Sequence, residues 1–217
     1  MLIDIHAFNE IDRRLTHFVG RVEEAGESAY QDSCNNFLNK LGSLLNSPWK
    51  SLNPIEKSFV DGYLCHLAVD ECWKKLGMQL FQKLGINSWS DFIVPGDVGL
   101  TTFDFICNSQ LINKSEIDLI LRDIIIPDTF KHIPYKVFAK QWEIIREYVI
   151  SGGTPESHFM MLERAGKAIK EIQKTRKRYD LYWNKGIEFI NEIGGVEPFI
   201  QDAIDRAMQV MPQIMER

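Results

Sequence analysis

The sequence has few of the residues that many functional sites need. Of its 217 residues, five are histidine and four are cysteine. The cysteines show no CxxC spacing, so neither a zinc knuckle nor a redox pair is predicted. Their positions are Cys34, Cys65, Cys72 and Cys107. Five histidines are also a small supply for an enzyme that holds several metal ions, because histidine is one of the main ligands of zinc.

Excess positive charge and long apolar runs are missing as well. Lys and Arg number 25 against 30 Asp and Glu, which gives a formal net charge of −5 at pH 7. This balance argues against a dedicated nucleic-acid-binding protein, which usually carries a basic surface. No apolar stretch approaches the roughly 18 residues of a membrane span. Residues 1–6 also lack the basic and then apolar order of a signal peptide, so we expect a cytoplasmic protein without a transmembrane segment.

Helical periodicity dominates the chain. Apolar residues recur at three- and four-residue steps, and no alternating stretch longer than four residues is present, so the sequence predicts an all-α protein. We expect one domain over residues 1–217, built as a multi-helix bundle, because no internal repeat or low-complexity linker divides the chain. The predicted helices cover about 8–22, 28–45, 54–84, a short segment from 115, 134–151, 154–191 and 197–215.

The helix predicted over 54–84 has the clearest end signals. Asn53 is a good N-cap, Pro54 fits the first helical position, and Glu56 falls at N3. Gly85 fits the left-handed residue that often follows a helix. A helix of about 31 residues is unusually long, and Gly77 is the expected place for a kink or an end.

This helix also carries a histidine and an aspartate on one face. His66 and Asp70 are four residues apart, and Phe59, Tyr63 and Trp73 continue the same stripe. The neighbouring face is also apolar, so we expect the helix to be buried. A buried His and Asp must be hydrogen-bonded or metal-bound, because an unpaired buried charge costs several kcal/mol. The spacing leaves open a structural hydrogen bond between helices and a zinc, manganese or iron site.

A resemblance to a known family bears on the choice between a structural hydrogen bond and a metal site. The segment 62–73, GYLCHLAVDECW, resembles the GYLxHLxxDxxW signature of bacterial proteins similar to zinc-dependent phospholipase C. That superfamily, which also contains single-strand-specific nucleases, is all-helical and hydrolyses phosphodiesters with clustered zinc ions. The resemblance implies that His66 and Asp70 are metal ligands. The segment 12–18, DRRLTHF, is similar to an upstream Thr-His-Phe of the same family, which implies His17 as a third ligand.

The resemblance implies a phospholipase C-like fold and a metal-dependent phosphoester hydrolase, with a small phosphoester or a phospholipid as substrate. Zinc or another divalent ion would lower the pKa of bound water and polarise the phosphoryl oxygen. Asp12 would be a fourth ligand or the general base, and Arg13 would offset the charge that develops on the phosphate. Tyr63 and Trp73, one turn on either side of the His–Asp pair, would wall the pocket.

The sequence also departs from this family. In the family, a second helix supplies metal ligands through a His-x₃-Glu pattern. In this sequence His158 is followed at +4 by Leu162, and Glu163 comes one position late. We therefore expect one metal ion, at most two. The alternative is a non-catalytic helical scaffold or binding protein with a structural His–Asp pair. A carboxylate-bridged di-iron bundle is not supported, because that site needs Glu-x-x-His pairs.

The position of His17 is a difficulty for the metal interpretation. If residues 5–24 form one straight helix, a polar face opposite its apolar stripe carries His6, Glu10, Arg13 and His17. Solvent is the simplest neighbour of such a face. A role in the site requires that this face line a cleft against the helix with His66, or that the chain break near Thr16, which is a suitable N-cap.

Overall fold

The computed structural model describes residues 18, 32–84, 102, 105–109, 114–131, 133 and 135–215. These residues are predominantly helical, which confirms the all-α class for this part of the chain. The helices are α1 (Ser33–Leu44), α2 (Pro54–Leu84), α3 (Lys114–Arg122), α4 (Tyr135–Ile150), α5 (Pro155–Arg164), α6 (Ile169–Glu192), α7 (Glu197–Val210) and α8 (Pro212–Met215). A 3₁₀ turn at Trp49–Ser51 separates α1 from α2.

The start of α2 confirms the predicted cap. The Asn53 Oδ1 atom accepts hydrogen bonds from the backbone N–H groups of Ile55 at 2.9 Å and Glu56 at 3.0 Å. The Glu56 carboxylate in turn accepts the N–H of Asn53 at 2.8 Å. Three backbone donors at the helix start are thus satisfied, as in a capping box. The helix does not end at Gly77 but continues to Leu84.

Three other predicted helices are wrong in part. The helix expected over 197–215 ends at Val210, and the short helix α8 follows it from Pro212. The helix expected over 154–191 is divided into α5 and α6, because Gly166 has φ +76°, a left-handed conformation that ends a helix. The helix expected over 8–22 does not pass through Phe18, which is non-helical and has φ 54°. This finding argues against a straight helix through that residue.

The chain divides into two compact units. The first is drawn from Met1–Lys74, Ile124–Trp142 and Gln201–Arg217, and the second from Lys75–Asp123 and Glu143–Ile200. The expectation of one domain stays a prediction.

Aromatic side chains fill the core of the first unit. The Tyr63 ring of α2 stacks on Phe37 of α1, with ring centroids 5.2 Å apart, and contacts Phe130 at 5.0 Å. Phe18 packs edge-on against Phe37 at 5.1 Å. Phe130 is held beside α1 because its neighbours pair with the chain around Leu45 in an isolated antiparallel bridge. This packing fixes the orientation of the α2 face that carries Tyr63.

The second unit has an aromatic cluster between α5 and α6. Tyr179 packs edge-on against Phe159 at 5.1 Å and stacks on Trp183 at 5.7 Å. The guanidinium of Arg176 lies 4.1 Å from the Phe159 ring centroid, a cation–π geometry. This cluster joins the two helices that the sequence analysis had treated as one.

Candidate functional site

The His–Asp pair of α2 is formed as the spacing predicts. The His66 Nε2 and Asp70 Oδ2 atoms are 3.4 Å apart, and the two side chains are 14% and 26% exposed. Residues of the neighbouring face, Leu64, Leu67 and Ala68, are fully buried in the core. The pair therefore lies at the edge of the core, where one side of each group is close to solvent.

A cleft adjoins His66 within the first unit. It has a volume of about 600 Å³, within the range of ligand pockets. We call it the α2 cleft. One wall is the N-terminal half of α2, and the other comes from the segment before Phe130 and from α4. The lining residues are Pro54, Ile55, Ser58, Phe59, Gly62, Tyr63, His66, Ile124, Ile125 and Trp142.

Of the residues predicted to wall a pocket, Tyr63 is in this lining and Trp73 is not. Tyr63 is 4% exposed and combines a core contact with a position beside the cleft. Trp73 is half-buried farther along α2. Of the pair itself, His66 lines the cleft, and Asp70 is not among the described lining residues.

The chemistry of the pair fits a divalent metal ion. Imidazole nitrogen and carboxylate oxygen are both zinc ligands, and two donors held at about 2.1 Å from a tetrahedral ion lie about 3.4 Å apart. The observed separation of Nε2 and Oδ2 is 3.4 Å. Within the described residues, no group of three His, Cys, Asp or Glu side chains is arranged to hold a metal. A further ligand would have to come from elsewhere, such as the remainder of the chain.

The other predicted site residues, Asp12, Arg13 and His17, lie outside the described residues. Phe18, which directly follows His17 in the chain, is described. Its ring centroid lies 6.2 Å from that of Tyr63, and its carbonyl accepts a hydrogen bond from Asn36 at 3.0 Å. The end of the Thr-His-Phe motif is therefore in contact with a residue one turn before His66.

A charged network beside the pair is a finding that the sequence analysis missed. The Glu71 carboxylate accepts the backbone N–H of Cys34 in the first turn of α1 at 2.8 Å and the Nε–H of Arg206 of α7 at 2.7 Å. The Glu71 side chain is 7% exposed. A carboxylate at a helix N-terminus also interacts favourably with the positive end of the helix dipole. Glu71 therefore joins α1, α2 and α7.

The pKa shifts of this region follow from burial and from Glu71. Burial opposes the charge on Arg206, but the hydrogen bond and the charge of Glu71 outweigh it and raise the pKa of the guanidinium. Burial, followed by the charge of Glu71, raises the pKa of the Cys34 thiol far above its ordinary value. Burial and then Asp61 raise the pKa of Cys65. Thiols with raised pKa values are poor nucleophiles, which is typical of cysteines with a structural role.

A buried histidine in the second unit was also missed. His158 is in the first turn of α5. Its Nδ1 atom is hydrogen-bonded to the Tyr179 hydroxyl, and burial lowers its pKa from 6.5 to about 4. The partner is 21 residues away on α6, and no local spacing indicates this contact.

Comparison of the chain with models of protein families, with curated proteins and with solved structures finds no match. The resemblance of 62–73 to the phospholipase C-like signature therefore stays a prediction. In the part of the chain that the structure describes, none of the helices combines the length and the apolar character that crossing a membrane requires.

Proposed function

We propose that this protein is a metal-dependent phosphoester hydrolase of the phospholipase C-like type, in which His66 and Asp70 hold zinc or another divalent ion. The observation that carries the proposal is the 3.4 Å separation of their Nε2 and Oδ2 atoms at the side of the α2 cleft. This separation matches two ligands of one tetrahedral ion. The contact of Phe18 with Tyr63 supports a role for the neighbouring His17 as a third ligand.

The ion would supply Lewis-acid chemistry, which activates water and stabilises the charge that develops on a phosphoryl group. His66 and Asp70 would orient the ion, while the apolar walls of the cleft would bind the uncharged part of a phosphoester or phospholipid and exclude water. Asp12 as ligand or general base and Arg13 as a partner for phosphate charge are parts of the proposal that rest on the resemblance.

The alternative is a non-catalytic helical binding protein in which His66 and Asp70 are a structural pair. The lining of the α2 cleft favours this alternative, because among the described residues that line it none is Asp, Glu, Lys or Arg. A phosphate group bound within such a cleft would lack a positively charged side chain. A binding protein for an uncharged molecule needs none.

Two aspartates of α2 allow a matched test. Asp70→Asn removes a charged ligand, whereas Asp61→Asn makes the same change nine residues earlier, on the opposite side of the helix. Burial raises the pKa of Asp61, so a neutral amide is well tolerated there. Loss of an outer partner of a ligand lowers metal affinity about ten- to a hundredfold, and we expect at least this loss of zinc affinity for Asp70→Asn.

The measurement is zinc titration by calorimetry on each purified variant, together with hydrolysis of bis(p-nitrophenyl) phosphate. We expect wild type and Asp61→Asn to bind zinc with the same affinity, and His66→Ala and Asp70→Asn to lose both zinc binding and hydrolysis. Equal zinc affinity in all four proteins would refute the ligand assignment. A wild type that binds no zinc or other divalent ion, and whose melting temperature is unchanged by chelator, would favour the non-catalytic alternative over the hydrolase.

A further inference from the structure

One face of α2 forms the larger part of the lining of the α2 cleft. Ile55, Phe59, Gly62 and His66 follow steps of four, three and four residues, so they form one stripe along α2. At 1.5 Å per residue this stripe extends about 16 Å from Ile55 to His66. A groove of this length and of about 600 Å³ fits an extended chain or a small ring system.

The mouth of the cleft carries exposed apolar side chains. Ile55 is 49% exposed, Ile124 is 40% exposed and Ile125 is 67% exposed. All three line the same cleft. Apolar surface concentrated at a concave site favours a ligand, because covering it releases water and lowers the free energy roughly in proportion to the area.

The polar groups of the lining set the chemistry of the ligand. Ser58, Tyr63 and His66 lie on the α2 wall, Trp142 on the other wall adds an indole N–H donor, and the rest of the described lining is apolar or glycine. Apart from an ion at His66, the described lining offers no positive charge. A carboxylate or a phosphate that entered this cleft without such an ion would lose water without gaining an opposite charge, which is strongly unfavourable. One hydroxyl, ester or ketone group could instead be hydrogen-bonded by these side chains.

We propose that the α2 cleft is a binding site for an uncharged, mainly aliphatic ligand with a single hydrogen-bonding group, such as a medium-chain alcohol or ester. The site does not depend on a metal ion at His66 and Asp70, and it holds for a hydrolase and for a binding protein alike. The apolar length lies along the stripe from Ile55 to His66, and the hydrogen-bonding group lies beside Ser58, Tyr63 or His66.

Gly62 is part of the construction of this site. It lies between Phe59 and His66 on the stripe, and a Cβ added there meets no atom within 4 Å. A glycine inside a helix costs about 1 kcal/mol relative to alanine, yet nothing in the packing requires its small size. Because Gly62 lines the cleft and has open space beside it, a larger side chain there would occupy the ligand's position.

A second glycine provides the matched control. Gly42 lies within α1, is exposed, and would likewise place a Cβ in open space, but it does not line the cleft. Gly62→Leu and Gly42→Leu both replace a helical glycine with a strong helix former, so we expect both proteins to fold and to melt at or above the wild-type temperature. Gly62→Ala, a smaller change, serves if Gly62→Leu does not fold.

The measurement uses N-phenyl-1-naphthylamine, an uncharged dye that fluoresces in apolar sites, with 1-dodecanol and dodecanoate as competitors. We expect wild type and Gly42→Leu to bind the dye equally, and Gly62→Leu to bind it about tenfold more weakly because the added side chain overfills the cleft. With chelator present, so that no ion at His66 can bind the carboxylate, dodecanol should displace the dye about tenfold better than dodecanoate. Chelator should not change the affinity for the dye itself.

Three results would overturn the proposal: no dye binding by wild type, equal binding by the two leucine variants, or displacement by dodecanoate as efficient as that by dodecanol. Loss of dye binding on addition of chelator would contradict a site that is independent of metal. Because the zinc titration of Asp70→Asn and Asp61→Asn is read separately, failure of the cleft proposal and failure of the hydrolase proposal are distinguishable.

Discussion

Replacing Glu71 with alanine should lower the free energy of unfolding by about 3 kcal/mol, because breaking a buried ion pair leaves one charge without its partner. The Glu71 side chain is 7% exposed and that of Arg206 is 22% exposed, so little solvent is available to replace the lost contact. The substitution also removes the acceptor of the Cys34 N–H at the start of α1. Chemical denaturation followed by circular dichroism measures the change.

Two further variants distinguish the loss of the Glu71–Arg206 ion pair from the loss of the hydrogen bond to the Cys34 N–H. Glu71→Gln keeps an oxygen that can accept the Cys34 N–H and should cost less than Glu71→Ala. The double variant Glu71→Ala with Arg206→Met should lose less free energy of unfolding than the two single variants lose together. The reason is that the loss in Glu71→Ala includes the cost of an unpaired guanidinium. The control is Glu143→Ala on the exposed face of α4, where we expect a change within about 0.5 kcal/mol. A loss for Glu71→Ala as small as that of the control contradicts this account.

Lowering the pH from 7 to 4 should destabilise the wild type by about 3 kcal/mol more than the variant His158→Asn. The pKa of His158 is about 4 in the folded protein and 6.5 for an unperturbed histidine, and each unit is worth about 1.4 kcal/mol. Between these pH values the unfolded chain binds more protons than the folded chain, so stability falls as the pH is lowered. Above about pH 7.5 the histidine is almost entirely neutral in both states and contributes little slope.

The asparagine variant is the reference because its amide is uncharged over this range and keeps a polar atom near the Nδ1 position that contacts Tyr179. Carboxylates that titrate near pH 4 contribute equally to both proteins and cancel in the comparison. Unfolding by urea at pH 7, 6, 5 and 4 gives the two profiles. Parallel profiles would mean that His158 titrates in the folded protein as it does in the unfolded chain.

The sequence predicts well the contacts between residues that are close together in the chain. The cap of α2 depends on Asn53 and Glu56, which are three residues apart, and both hydrogen bonds are present. The contact of His66 with Asp70 likewise needs only a helix and a spacing of four. These predictions succeed because one helix places the groups and no distant part of the chain is needed to bring them together.

What the sequence did not predict depends on conformation at single residues or on distant contacts. Apolar periodicity continues from α5 into α6, and the positive φ of Gly166 that divides them leaves no mark on that pattern. Arg206 is 135 residues from Glu71 in the chain, so their pairing requires the tertiary fold. The α2 cleft also requires the tertiary fold, because its second wall comes from the distant residues Ile124, Ile125 and Trp142.

Binding of a divalent ion by the Nε2 atom of His66 can be observed by nitrogen NMR of the histidine side chains. Zinc is added stepwise to the wild-type protein labelled with ¹⁵N, and the His66 signals are assigned from the loss of peaks in His66→Ala. We predict that the His66 Nε2 signal shifts and saturates at one equivalent of zinc, while the signals of the buried His158 stay in place. An unchanged His66 Nε2 signal throughout the titration would contradict the binding of a divalent ion by His66.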